Sequence, residues 1–404
     1  MDRHLLALHR KSGRRRRLYA VALTAPLVIF IMLTFVAPIA MMLARSIQNP
    51  EIMTILPTTL TALEGWDGQS IPGEAVFSAL AMDLSAAHKA RTSAELGTRI
   101  NRELPGARSK VIATARALAT KAQPPYSQTI PAIDAFWASP ETWAVIARSA
   151  SSYTDYYLLA ALDLKRDGHG KVVAAPANQA IFLDVFVRTF WISALVTVVT
   201  LLLGYPLAYL IASAPPRVGN ILLILVLLSF WTSILVRTTA WVVLLQTNGV
   251  INDILLFLGL THERLQLIFS RFGTILAMTQ IQLPFTLLPI YSVMRSLSPN
   301  LMRAASSLGA GPITAFRRVY LPQTLPGVAA GCLLTFILCL GYYITPALVG
   351  GPTDQMVSSY IALYINRELN WGMAAALGGY LLAATLTLYA VYARLVGLGS
   401  LKLG

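Results

Sequence analysis

Three polar side chains sit inside otherwise apolar runs: Arg237, Gln280 and Gln282. Burying such groups in hydrocarbon is costly, so intramembrane polar residues are functional candidates by default. Their chemistry is hydrogen bonding and charge handling rather than bond making. Arg237 lies about two turns from the end of its run, within reach of the interface for a long side chain. The glutamines can bond between helices. Lining a solute pathway is the alternative for all three. Trp231, Tyr342 and Tyr343 can stack against a cation, or anchor at an interface and fill a core. Asp184, Asp354 and Glu368 fall near the ends of apolar runs. They can ring an outer mouth and attract cations, or be solvated loop residues. From Arg264 to Thr353 there is no Asp or Glu.

No catalytic constellation accompanies these groups. The runs hold neither a Ser/His arrangement nor paired aspartates. His4, His9, His88, His169 and His262 are scattered, with no ligand pair at helical spacing, so no metal site is expected. Cys332 and Cys339 fall near one helical face inside an apolar run, and no disulfide framework follows.

The elements that must position these residues are membrane helices. The chain is 56% hydrophobic and 12% charged, about half the charge of an ordinary soluble domain. Several runs exceed the roughly 20 residues that cross a bilayer. A soluble enzyme is excluded. The expected spans are 18–43, 189–213 (broken by Gly204 and Pro206), 221–245, 272–293, 328–349 and 373–396. Pro206, Pro284, Pro289 and Pro346 free carbonyls inside spans, as hinges or as static kinks. Residues 246–271 form a polar connection that opens with an Asn248-Gly249 turn.

The net charge of +14 is uneven. Arg10, Lys11 and Arg14 to Arg17 cluster ahead of the first run. They read as a topology signal, because no aromatic or folded module for nucleic acid accompanies them. That run is longer than the roughly 7–15-residue core of a signal peptide, so it is expected to stay as an uncleaved helix. Six crossings place both termini on one side. Arg217, Arg295, Arg303, Arg317 and Arg318 share that side; Asp253, Glu263, Asp354 and Glu368 take the other, in line with basic loops staying inside. Residues 46–180 carry 12 basic and 12 acidic residues and are too polar to span. They are expected to form an external, helical insertion, with helices over 76–122, before Pro124-Pro125, and over 133–150, punctuated by Pro140.

One inside loop is patterned. Ser298 can cap a helix and Pro299 suits its first position. Ala304 and Ala305 leave room for another surface to approach. Gly309 fits a left-handed helix end, and Pro312 can start a second helix. Ile313, Phe316 and Val319 or Tyr320 recur at helical spacing as an apolar stripe, and Leu321-Pro322 is expected to stop the helix. Such a hairpin presents a packing face to a partner; an ordinary surface loop is the bland alternative.

The loop resembles the coupling motif of permease subunits of binding-protein-dependent ABC importers. That pattern reads Glu-Ala-Ala, three residues, Gly, nine residues, Ile-x-Leu-Pro; here Arg303-Ala304-Ala305, Gly309 and Val319-Tyr320-Leu321-Pro322 keep every spacing. Leu203 to Tyr209, Phe230 to Arg237 and Leu283-Pro284-Phe285 look like the spermidine/putrescine branch. The resemblance covers roughly 182–396 and the first span. It implies an all-α membrane protein: six transmembrane helices of the type I ABC importer permease fold, with the insertion between helices 1 and 2. The parts are a cytoplasmic N-terminus at 1–17, helix 1 at 18–43, a periplasmic insertion at 46–180, a core at 181–396 with its coupling loop at 298–322, and a cytoplasmic tail at 397–404. The coupling residues carried over are Arg303, Ala304, Ala305, Gly309, Phe316, Val319, Leu321 and Pro322. The implied function is ATP-driven import of polyamines across the bacterial inner membrane. Another small solute (an amino-acid derivative, opine, phosphonate or ferric ion) is the alternative, and a secondary transporter a remoter one. The implied partners are ABC ATPase subunits, a second permease (a heterodimer, or a homodimer), a periplasmic binding protein and the lipid bilayer, with no nucleic acid. The chain lacks a Walker A pattern, so no cofactor is expected on it and ATP and Mg belong to the ATPase. The family's Glu is Arg303 here, a reversal of charge: the Arg either meets an acidic partner surface or swings to solvent, and a compensating change on the ATPase is expected.

Overall fold

The computed structural model describes residues 21–120, 123–167, 170–298 and 300–396. The basic cluster at 10–17, Pro299, the start of the first run, the tail from 397 with Lys402, and His4, His9 and His169 lie outside the described residues. The described residues divide into two compact units. One is built on the first span and the insertion (21–160, 164–174, with 371–376), the other on 175–370 and 377–396 with 161–163.

Five helices are long and apolar enough to cross a membrane: Val21–Ala44, Phe182–Ser213, Arg271–Ser296, Pro312–Leu340 and Trp371–Arg394. The bent pair Pro216–Trp231 and Ile234–Leu245 is apolar enough when taken together, and counted as one span it makes a sixth. In chain order these are spans 1, 2, 4, 5 and 6, with the bent pair as span 3. Their outward faces are Leu, Ile, Val and Phe, which hydrocarbon accepts and water does not.

Several boundaries differ from expectation. Span 3 turns by 96° between its two helices. Thr232 and Ser233 are extended there, and the Thr232 hydroxyl donates to the Ser229 carbonyl at 3.1 Å, which the ended helix would otherwise leave free. Gly204 and Pro206 do not break span 2; Gly204 lies against Leu283 and Leu287 of span 4. The connection 246–271 contains an apolar helix, Val250–Phe257. Leu321-Pro322 does not stop the hairpin's second helix, which runs on as span 5 to Leu340. Gly341 to Tyr343 then separate it from the short helix Ile344–Val349, which carries Pro346.

The continuity past Pro322 has a local cause. A proline inside an α-helix lacks its N–H and clashes with the carbonyl four residues back. A π turn over Phe316–Tyr320 precedes it, and the Leu321 N–H reaches back to the Phe316 carbonyl. The widened turn makes room for the ring. Span 1 repeats the device: a π turn over Met32–Val36 precedes Pro38, with the Ala37 N–H on the Met32 carbonyl.

Spans 4 and 5 meet backbone to backbone, with span 2 packed beside them. A Cβ at Gly331 would stand 2.5 Å from the Thr286 carbonyl oxygen, and one at Gly327 2.9 Å from that of Pro289. Small residues one turn apart thus let the helices close. Three buried hydroxyls bind the same seam. Thr286 donates to Thr200 at 2.9 Å, which leaves its oxygen to accept from the Thr335 hydroxyl at 2.6 Å. The start of span 2 is held by Asp163, whose carboxylate accepts the N–H groups of Ile181, Phe182 and Leu183.

The insertion is a helical body with its own core. The chain enters and leaves the helical part at one neck: the Asn49 N–H donates to the Ser152 carbonyl at 2.9 Å, and the Thr154 N–H to that of Ile47 at 2.7 Å. The expected 76–122 stretch is three helices, Glu74–Ala90, Ser93–Glu103 and Ala107–Thr120. Left-handed residues Arg91 and Gly106 separate them. The expected 133–150 stretch is Tyr126–Ile133, a 3-10 turn over Ala135–Ala138, and Pro140–Arg148. Trp143 packs edge-on to Phe77 at 4.9 Å between ring centres and donates its indole N–H to the Trp137 carbonyl. Buried Asp83 accepts both the N–H and the hydroxyl of Thr59 at 2.7 Å. An antiparallel hairpin, Leu164–Arg166 with Val172–Ala174, follows the helices.

Gly331→Leu tests the seam. It is expected to cost about 1–3 kcal/mol by overpacking against the Thr286 carbonyl and to lower the melting temperature in detergent. Gly378→Ala, whose nearest neighbour is Ile361 at 3.9 Å, leaves it unchanged. Equal melting of both variants would show that the seam is not close-packed.

Candidate functional site

The hairpin between spans 4 and 5 forms as the residues require. The Ser298 hydroxyl accepts the Asn300 N–H at 3.3 Å, and a helix runs over Asn300–Ser307. Gly309 is left-handed, with φ +86°. The Ala310 N–H bonds the Ala305 carbonyl and the Gly309 N–H that of Ser306, both at 3.0 Å. This is a complete Schellman ending. The second helix starts at Pro312.

The apolar stripe divides into two parts. Phe316 and Tyr320 stack at 5.6 Å, and both meet Tyr209 of span 2 edge-on, at 5.7 and 5.4 Å. Tyr205 meets Phe316 at 6.4 Å and bonds Thr324 at 3.0 Å. This half of the stripe is therefore covered by the protein's own second span rather than offered to a partner. Val319 and Leu321 are half-buried with it, Ala305 is buried, and Pro322 is exposed. What stays open is Leu308, 89% exposed, and Ile313, 76% exposed, with Arg303 and Ala304 beside them. Leu308, at the helix end, had no place in the predicted stripe. Tyr205 and Tyr209 were also missed as a clasp, although their spacing of four puts them on one helical face.

The pathway candidates separate. Arg237 and Gln280 come together through a residue the sequence did not single out. The Ser229 hydroxyl accepts from Arg237 Nη1 at 3.2 Å and from Gln280 Nε2 at 3.4 Å. Trp241 donates its indole N–H to Gln280 Oε1 at 3.3 Å. The network ties both halves of the bent span 3 to span 4. Tyr342 is near enough to Arg237 to interact with its charge. Gln282 is buried and takes no part in this network. Trp231 is 79% exposed at the end of its helix and Tyr343 is 43% exposed; among the described residues no ring pairs with either.

The carboxylates separate too. Asp354 is not a free member of an outer ring: it is buried, and its Oδ1 accepts from Arg271 Nε at 2.9 Å. Burial needs a counter-charge, and the N-terminus of span 4 supplies it. Asp253 pairs with Arg264 at 2.9 Å. Asp184 and Glu368 are exposed.

Residues 181–397 match a family described as the binding-protein-dependent transport system inner membrane component. The insertion lies outside that match. The chain is 32% identical to the spermidine/putrescine transport system permease protein PotB of Escherichia coli over 196 residues, 48% of this chain and 71% of the relative. It is 32% identical to the PotB of Haemophilus influenzae over 238 residues, 57% and 83% of the two chains. It is 34% identical to the inner membrane ABC transporter permease protein YdcU of Escherichia coli over 227 residues, 53% and 67%. Among solved structures, a bacterial alginate ABC transporter in complex with an alginate pentasaccharide-bound periplasmic protein is 20% identical, with 54% of this chain and 79% of that one covered and a TM-score of 0.44.

Gly309→Val places a branched residue in the left-handed region, at a cost of about 1–2 kcal/mol. It is expected to speed proteolysis of the 300–311 turn severalfold, whereas Gly309→Asn, a residue that tolerates this conformation, stays near wild type. Equal protection of both would mean that the Schellman ending does not hold the turn.

Proposed function

We propose that this chain, which belongs to the binding-protein-dependent transport system inner membrane component family, carries polyamines of the spermidine/putrescine class into the cytoplasm. It is the permease subunit of an ABC importer, a multi-pass inner membrane protein and not an enzyme. Membership implies ATPase and binding-protein partners. The polyamine reading rests on the similarity to PotB in two species.

Both termini and the Arg303 hairpin face the cytoplasm in this proposal. An ATPase seats Leu308 and Ile313 in a groove and meets Arg303 with acidic groups in place of the family's basic or polar ones. The carboxylate-free stretch from Arg264 to Thr353 makes Arg295, Arg303, Arg317 and Arg318 a single-sign surface that an acidic groove complements. ATP and magnesium act on that partner and not on this chain. The coupling residues are Arg303, Ala304, Ala305 and Gly309, with Phe316, Val319, Leu321 and Pro322 carrying motion into span 5. At the other end a binding protein releases substrate near exposed Asp184 and Glu368. Trp231, Tyr342 and Tyr343 offer aromatic faces to a cation. The insertion at 46–180 broadens the platform for the binding protein.

Reconstitution with its ATPase, second permease and binding protein in proteoliposomes tests the cargo: ATP-driven uptake of radiolabelled putrescine or spermidine is expected. No polyamine uptake, with hydrolysis stimulated by another loaded binding protein, would replace the cargo and keep the importer. Arg303→Glu is expected to cut uptake about tenfold, the equivalent of losing about 1.4 kcal/mol of docking; unchanged or improved uptake would remove the acidic-groove proposal. Excising 50–151 at the Asn49–Ser152 neck, with a short linker, should abolish uptake while span insertion persists. Full uptake would leave the insertion as a shield only.

A further inference from the structure

We propose that Arg237 is neutralised, inside the membrane, by a carboxylate on a second permease subunit that is a different chain from this one. The inference rests on the permease reading for placing the chain in a bilayer beside a partner, and on the polyamine reading for setting aside an anionic cargo.

Depth comes first. Arg237 and Gln280 share the Ser229 hydroxyl. Gln280 lies nine residues into Arg271–Ser296 from its nearer end, about 13 Å along the axis at 1.5 Å per residue. The guanidinium it neighbours therefore sits well inside a hydrocarbon core about 30 Å thick. A charge at that depth is costly unless it is paired or wetted. Ser229, Gln280 and Tyr342 are neutral. Arg237 Nε is buried by this chain's own atoms without an acceptor, so the terminal nitrogens are the ones left to meet a partner.

This chain has no carboxylate to offer. Residues 18–50, 185–252, 264–353 and 369–404 contain no Asp or Glu. The acids of the core lie at helix ends or in connections: Asp184 in the first turn of span 2, Asp253 against Arg264, Asp354 against Arg271, and Glu263 and Glu368 exposed. A second copy would not help. A two-fold axis along the membrane normal keeps every residue at its own depth, so a copy would bring its acids to the same helix ends. A polyamine has the same sign as Arg237. For a paired charge, what remains is a chain that carries Asp or Glu within a span. The surface fits a neighbour at this point, because Leu235 and Val236, 57% and 62% exposed, flank Arg237 at the bend. The planar guanidinium is suited to hold a carboxylate through two parallel bonds.

Purification of the whole complex from its native genes, by a tag on this chain, tests the pairing. Wild type is expected to yield two different permease chains in equal amounts. Arg237→Glu should lower recovery of the second permease at least tenfold, and Arg237→Lys should retain most of it. In the Arg237→Glu background, changing one intramembrane Asp or Glu of the second permease to Arg should restore recovery, which separates a lost ion pair from misfolding. Undiminished recovery with Arg237→Glu, no restoring partner change, or a complex holding two copies of this chain would overturn the proposal. So would rapid labelling of Arg237→Cys, in a Cys332→Ser/Cys339→Ser background, by a charged aqueous thiol reagent in the assembled complex, because water would then be the solvating group. Absence of any nucleotide-hydrolysing subunit from the wild-type complex would instead overturn the importer reading.

Discussion

Everything mechanical in this molecule depends on one helix being unbroken. From Pro312 to Leu340 the hairpin's second helix and span 5 are a single rod, and the π turn ahead of Pro322 keeps it so. A rod transmits displacement where a flexible joint absorbs it. At its base Phe316 and Tyr320 clasp Tyr209 of span 2. Further along, Gly327, Gly331 and Thr335 lock it to span 4 and, through Thr286, to Thr200. Force on the hairpin therefore reaches spans 2, 4 and 5 as one packed body. Close-packed interfaces switch between discrete arrangements rather than deform, which suits a rocking permease.

Span 3 is built differently. Its 96° bend interrupts the backbone ladder, and a polar network joins apolar contacts such as Phe230 on Phe285 in tying its halves to span 4. Such bonds exchange partners at lower cost than interlocked backbones separate. Ser229, Arg237 and Gln280 thus collect at the bend, away from the rigid seam.

Much of this was legible in the sequence, for reasons that are local. Apolar runs marked the spans, and Gly309 marked a left-handed helix end because few other residues accept that conformation. What stayed hidden depended on neighbours. Leu321-Pro322 read as a stop, since nothing in the residues themselves announces a π turn. The 96° bend at Thr232-Ser233 looked like an uninterrupted apolar run, because two small hydroxyl residues scarcely dent hydropathy. Asp354 looked free because Arg271, its counter-ion, is 83 positions away. The aromatic stripe looked like a partner's target because the covering tyrosines belong to another span. Single threonines at 200, 286 and 335 carry no signal until the helices bring them together.

Single cysteines at Leu308 and Ile313, the open apolar positions of the hairpin, in a Cys332→Ser/Cys339→Ser background show which side of the membrane the hairpin faces and what it touches. Both are expected to crosslink to co-expressed ATPase subunits and to resist impermeant thiol reagents added outside intact cells. Modification from the external medium, with no crosslink to the ATPase, would contradict a cytoplasmic hairpin worked by an ATPase.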